Sequence, residues 1–172
     1  IQVLLVCPLV IVASVIVLES QFTITVNKDR LINAQNEPQN WLLMNGDYGS
    51  QRYSKLARIN RDNVENLRLV WALALGGMQD TGQNGPENEV NPLIDNGFMY
   101  TTDGWGTVYK IDARHPDKGE FIWITDPGVE HEGNRSRSRG IALWEELVVA
   151  NLPDGRVIAI DRDTGEIVWY YQ

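Results

Sequence analysis

Residues 91–172 carry one pattern twice, and this duplication restricts the architecture more than any other feature of the chain. The first copy runs from Gly97 to Asp112 and continues from Lys118 to Trp123; the second runs from Glu146 to Asp161 and continues from Thr164 to Trp169. Asp112 and Asp161 are 49 residues apart, as are Gly106 and Gly155. Gly119 and Gly165 are 46 apart, as are Trp123 and Trp169, because the turn of the first copy is three residues longer. Short apolar strands repeated with a period of roughly 40–50 residues are the mark of a propeller blade. The chain is therefore expected to be all-β, an incomplete β-propeller of about two blades after an N-terminal apolar segment. Two copies do not close a ring, so further blades are expected outside these 172 residues.

Within each copy the residues explain their own elements. Val157 to Ile160 is a continuous apolar run, as expected of a strand covered on both faces. In the turn from Asp161 to Gly165 the carboxylate can accept turn amides, and the glycine supplies a position with positive φ. Trp169 offers a wide flat face for packing against a neighbouring blade. The clusters Asp95-Asn96-Gly97 and Pro153-Asp154-Gly155 mark tight hairpins.

Three segments are expected: 1–20 as signal peptide or membrane anchor, 21–87 as an N-terminal segment with a short helix and a closing strand, and 88–172 as the two blades. Residues 1–18 are apolar and uncharged, a pattern that fits an export signal or an anchor. A short helix is predicted around Lys28 to Ala34. Another is predicted over Ile59 to Leu67, with Asn60 as its N-cap. Leu67 to Leu75 reads as a strand, the last of a blade whose other strands lie elsewhere in the full chain, with Trp71 inside a Leu-rich run.

Charge and composition narrow the function. A net charge of −8 argues against nucleic acid or an anionic membrane as a general partner. Two His and one Cys are too few for a zinc site of ordinary spacing, and a single Cys forms no intramolecular disulfide. The Asp161-to-Glu166 turn has the look of a calcium loop, but its Gly comes one place early and the twelfth position is Gln172. Dinucleotide, phosphate-loop, nucleophile-elbow and zinc-protease motifs do not occur. Arg135, Arg137 and Arg139 alternate with serines, so an extended chain turns all three to one side. They form either a solvated edge paired to carboxylates, or a pocket wall in which at least one, Arg139 beside Gly140, grips a planar anion through its rigid donor fork. Glu89, beside Asn88 where the first repeat begins, is by itself an ordinary loop carboxylate.

Three blocks give these residues a context: Asn33 to Asn60, with Glu37-Pro38, Asn40-Trp41 and Asp47 to Arg52; Asn88-Glu89-Val90-Asn91-Pro92; and Ala159 to Trp169. Over residues 23–172 the chain resembles the pyrroloquinoline quinone (PQQ) dependent alcohol dehydrogenases of the methanol and ethanol dehydrogenase type. The resemblance implies an eight-bladed propeller in the periplasm, with PQQ in a central funnel and Ca²⁺ or a lanthanide beside it. It also implies a small alcohol or polyol as substrate, and cytochrome c or a membrane quinone as electron acceptor. Glu89 stands where the family's Glu bonds the quinone's edge, and Arg139 where its Arg lies near the reactive carbonyl. A fixed cation there stabilises negative charge developing on oxygen.

The chain departs from this pattern in two ways. The family's adjacent Cys pair is replaced by Gly133 and Asn134, which leaves sugar or polyol substrates in contention with simple alcohols. The family's metal ligands, catalytic Asp and axial Trp map beyond Gln172, so the 172 residues alone are expected neither to bind PQQ normally nor to turn over. Two other readings are a non-catalytic propeller scaffold, which would need neither Glu89 nor Arg139, and an inactive remnant.

Overall fold

The computed structural model describes residues 25–76, 87–132 and 137–172. The apolar run at 1–18, Arg135, and the Gly133–Asn134 pair lie outside these residues.

The duplicated pattern folds as two four-stranded antiparallel sheets. The first blade comprises β2 (Leu93–Asp95), β3 (Phe98–Thr102), β4 (Val108–Asp112) and β5 (Glu120–Thr125), in that order across the sheet. The second comprises β7 (Ile141–Trp144), β8 (Leu147–Asn151), β9 (Val157–Asp161) and β10 (Ile167–Tyr171). A short parallel pair joins the segments leading into the blades, β1 (Glu87–Asn88) beside β6 (Arg137–Ser138).

Equivalent hairpins have equivalent geometry. The Asp103 amide bonds Thr107 O at 3.0 Å and the Leu152 amide bonds Arg156 O at 2.7 Å. Gly106 and Gly155 each take φ +89° in these loops. Asn96 and Gly97, with φ of +52° and +80°, turn β2 into β3 as a two-residue hairpin. The Asp161 turn forms as its residues dictate: Oδ1 accepts the amides of Asp163 and Thr164 at 2.9 and 2.8 Å.

Ile158, Ala159 and Ile160 of β9 are fully buried, as a strand covered on both faces requires. Ile158 and Ile160, with Val108, Val148 and Leu143, belong to a core that crosses from one blade to the other. The blades meet through tryptophan. Trp123 of β5 packs on Gly165, where a Cβ would fall 2.7 Å from the indole Cγ. Trp71 packs on Gly119 in the same manner, with a Cβ falling 2.8 Å from its ring.

The N-terminal segment seals the inner edge. Asn27 caps α1 (Lys28–Ile32) by accepting the Arg30 amide, and a 3₁₀ turn at Ala34–Asn36 follows, so the predicted helix is present in two pieces. Val26 bridges to Glu145 of the second blade, and Trp41 pairs with Ile94 of β2.

One sequence expectation needs correction. Over Ile59 to Leu67 the chain makes turns and one 3₁₀ stretch, Val64–Asn66, rather than an α-helix. Asn60 does accept the Asp62 amide, but the Asn63 side chain also bonds the Arg58 carbonyl, and such local bonds compete with helix propagation. Leu67 to Leu75, expected to close a blade whose other strands lie elsewhere, has no strand pairing among the described residues. It follows the first blade through side chains instead, with Trp71 on Gly119 and the Gly76 amide donating to the Tyr109 hydroxyl at 3.0 Å.

Candidate functional site

Parallel pairing of β1 with β6 brings together two residues that are 50 positions apart. The ladder sets Asn88 opposite Ser138, and the Glu89 amide continues it by bonding the Ser138 carbonyl at 3.1 Å. Ser138 is buried, so strand alternation turns Arg137 and Arg139 to the opposite, exposed side. Asn88 is drawn the other way, donating to the Thr102 carbonyl at 3.1 Å. Arg139 Nε then donates to Glu89 Oε2 at 3.2 Å, with 69% of the Arg139 side chain and 48% of the Glu89 side chain exposed. Gly140, at φ +150°, takes the chain from this pair into β7, in a conformation that side-chain-bearing residues rarely adopt.

The structure thus joins the two residues singled out from the sequence. Glu89 engages Nε of Arg139, which leaves the two terminal nitrogens of the fork facing solvent, where a planar anion can reach them. Glu89 supplies an acceptor at the same edge. The fork suits a carboxylate or carbonyl of a flat anionic quinone such as PQQ, whereas Glu89 suits only a donor on such a ligand.

A second group at this end of the blades was not singled out from the sequence. Asp103 organises the β3–β4 loop: Oδ1 accepts the amides of Trp105 and Thr107 at 2.9 and 3.0 Å, and Oδ2 accepts the Tyr109 hydroxyl at 2.9 Å. Burial and the neighbouring Asp103 carboxylate push the Tyr109 phenol up to about 12. Trp105, itself buried, stacks on His131 with ring centres 3.9 Å apart and planes 16° from parallel. The Asn88–Thr102 bond fixes this loop beside the Glu89 segment. The one sequence signal was a departure from the repeat, since Trp105 stands where the second copy has Asp154.

At the opposite end of the same strands lies a buried charge cluster. Asp95, the last residue of β2, accepts Arg30 Nη2 at 2.7 Å and Arg162 Nη2 at 2.7 Å, while Arg30 also pairs with Glu37 at 2.6 Å. Lys110 Nζ caps the Arg162 carbonyl at 2.6 Å, and burial lowers its pKa. Among the described residues no group of three or more His, Cys, Asp or Glu is placed to hold a metal ion.

Comparison with known proteins agrees with the propeller fold. The family model for the PQQ glucose/ethanol/alcohol dehydrogenase β-propeller domain matches residues 41–171. The dehydrogenase subunit of a quinone-type alcohol dehydrogenase from Gluconacetobacter polyoxogenes is 38% identical over 148 residues, covering 82% of this chain and 18% of the relative. Quinohemoprotein alcohol dehydrogenase ADH-IIG from Pseudomonas putida is 37% identical over 153 residues, covering 84% of this chain and 19% of the relative. The solved structure of ADHIIG from Pseudomonas putida HK5 superposes with a TM-score of 0.76 at 33% identity, covering 87% of this chain and 21% of that one. A europium-containing methanol dehydrogenase superposes with a TM-score of 0.73 at 28% identity, covering 83% of this chain and 24% of that one. The chain therefore spans about a fifth of the length of the relatives it matches. It belongs to the PQQ-dependent alcohol dehydrogenase family and forms part of that family's β-propeller.

Proposed function

We propose that this chain is the cofactor-edge portion of an exported quinoprotein dehydrogenase that oxidises a small alcohol. The observation that carries the reading is the ion pair of Glu89 with Arg139, formed by segments leading into two different blades. When bound, PQQ would supply the two-electron acceptor for alcohol oxidation. The chain's own residues hold and orient one edge of it: Arg139 through its terminal guanidinium nitrogens, Glu89 through its carboxylate, and Asn88 and Ser138 by fixing the backbone beneath them. The Arg139 cation favours negative charge on a cofactor oxygen placed against it.

The names of the relatives support an alcohol as substrate over a sugar or polyol, even with Gly133 and Asn134 in place of a Cys pair. A cytochrome or membrane quinone is the corresponding electron acceptor, because relatives are named as quinohemoprotein and quinone-type enzymes. A metal, Ca²⁺ or a lanthanide, would accompany the cofactor; the likeness to a europium-containing enzyme supports either metal. The apolar run at 1–18 supports export to the periplasm. The test is dye reduction by the full-length protein loaded with PQQ and either Ca²⁺ or a lanthanide, measured across alcohols, sugars and polyols. PQQ-dependent turnover of alcohols is expected; absence of turnover with every metal and substrate would overturn the reading.

A further inference from the structure

Arg162 follows β9 in the turn that ends the second blade's core strand, and only 1% of it is exposed. A buried guanidinium requires partners for its donors, and these partners come from both blades. Nη2 donates to Asp95 Oδ2 at 2.7 Å and to the Tyr100 hydroxyl at 3.3 Å, both in the first blade. Nη1 donates to the Glu145 carbonyl at 3.2 Å, in the second. The residue's main chain is held as well: its amide bonds Glu146 O at 2.9 Å, and its carbonyl accepts Lys110 Nζ at 2.6 Å and Trp123 Nε1 at 3.0 Å.

Asp95 closes β2, and Glu145 directly follows β7. These are the first edge strands of the two sheets, and they are the strands into which Glu89 and Arg139 lead. Asp95 lies six residues after Glu89, and Glu145 six residues after Arg139. One planar fork therefore ties the far ends of the two segments whose near ends carry the candidate cofactor pair. β2 and β7, with the short segments before them, are the backbone links between the two ends, so the angle fixed at the Arg162 end bears on the spacing at the other.

We infer that Arg162 is a positioning residue for the cofactor pair, setting the separation of Glu89 from Arg139 through β2 and β7. It does not touch the cofactor. A lysine carries the charge but not the fork, and so reaches either the Asp95 carboxylate or the Glu145 carbonyl without spanning both. Arg30, already on the other oxygen of Asp95, keeps that carboxylate paired in such a variant.

The inference rests on Glu89 and Arg139 being cofactor contacts, and the experiment separates the two ideas. Full-length apoprotein is titrated with PQQ and the Kd read by fluorescence quenching, beside Tm, for wild type, Arg162→Lys, Arg139→Ala, the double variant and Val148→Ala. Val148 is buried in β8, its apolar side chain offers the fork no hydrogen bond, and it serves as the stability control. Arg162→Lys is expected to weaken PQQ binding by about tenfold, the scale seen when a supporting group behind a ligand-holding residue is lost. Val148→Ala is expected to lower Tm with less than about a twofold change in Kd, and Arg162→Lys to cost less in the Arg139→Ala background than alone. If Arg162→Lys and Val148→Ala change Kd equally, or if the Arg162 and Arg139 effects simply add, the positioning role is overturned while the cofactor reading stands. If Arg139→Ala leaves Kd unchanged, the cofactor reading falls and takes this inference with it. Should Arg162→Lys fail to fold, the isosteric Asp95→Asn loosens the same fork and is read against the same outcomes.

Discussion

Trp123 of the first blade lies so closely over Gly165 of the second that an added Cβ would sit 2.7 Å from its Cγ, while its Nε1 donates to the Arg162 carbonyl at 3.0 Å. Thr125 reinforces the joint, donating to the Gly165 carbonyl at 2.6 Å. Gly165 meets two demands at once, a positive φ of +79° and a surface without a side chain.

These two demands separate experimentally. Gly155 has a similar φ of +89°, and a methyl group added there would meet nothing within 4 Å, so Gly155→Ala incurs only the backbone cost, about 1–2 kcal/mol. Gly165→Ala adds a steric cost of about 1–3 kcal/mol against the indole and is expected to be the more destabilising of the two in urea unfolding. Equal losses would contradict tight tryptophan docking.

Asp95 is fully buried between two guanidinium groups, and its removal strands the Arg162 charge in the core. Asp95→Ala is expected to cost about 3–5 kcal/mol, the range for breaking a buried pair from one side. The exposed Glu89–Arg139 pair behaves oppositely, and Glu89→Gln should change stability by less than about 1 kcal/mol. Denaturant midpoints for the two variants test this contrast directly.

Acid should unfold the protein through its turn carboxylates. The Arg114 guanidinium holds Asp112 well below its ordinary 3.8, the Arg156 guanidinium lowers Asp154, and the Thr164 amide lowers Asp161. In each case the unfolded chain binds the proton first. The stabilisation is therefore complete above the ordinary carboxylate pKa and is lost as pH falls through the lower folded-state value. Tm is expected to decline below about pH 4, less steeply in Asp112→Asn. At the alkaline end Tyr109 keeps its proton to about 12 when folded but loses it near 10.0 when unfolded, so its contribution fades between those values and Tyr109→Phe should flatten that decline.

The repeat, its hairpins and the Asp161 turn were legible because each depends on residues close together in sequence. Asn96-Gly97 makes a turn wherever two strands flank it, and Val157 to Ile160 is apolar whichever sheets enclose it. Glu89 was legible only as a family position and Arg139 also as one of three alternating arginines; their pairing needed the parallel β1–β6 ladder, which no local pattern encodes. Asp95 looked fully explained by its hairpin, yet its charge partners are Arg30, 65 residues before it, and Arg162, 67 residues after it. For Leu67 to Leu75 the apolar run was legible but its packing was not: among the described residues it meets the first blade through the ring of Trp71.

The central claim, that Glu89 and Arg139 jointly hold one edge of PQQ, is tested most directly by titrating full-length apoprotein with PQQ in a double-mutant cycle of Glu89→Gln and Arg139→Ala. Each substitution is expected to weaken binding by about tenfold or more, with Tm unchanged and a combined effect smaller than the product of the two. Wild-type affinity in Arg139→Ala would contradict it.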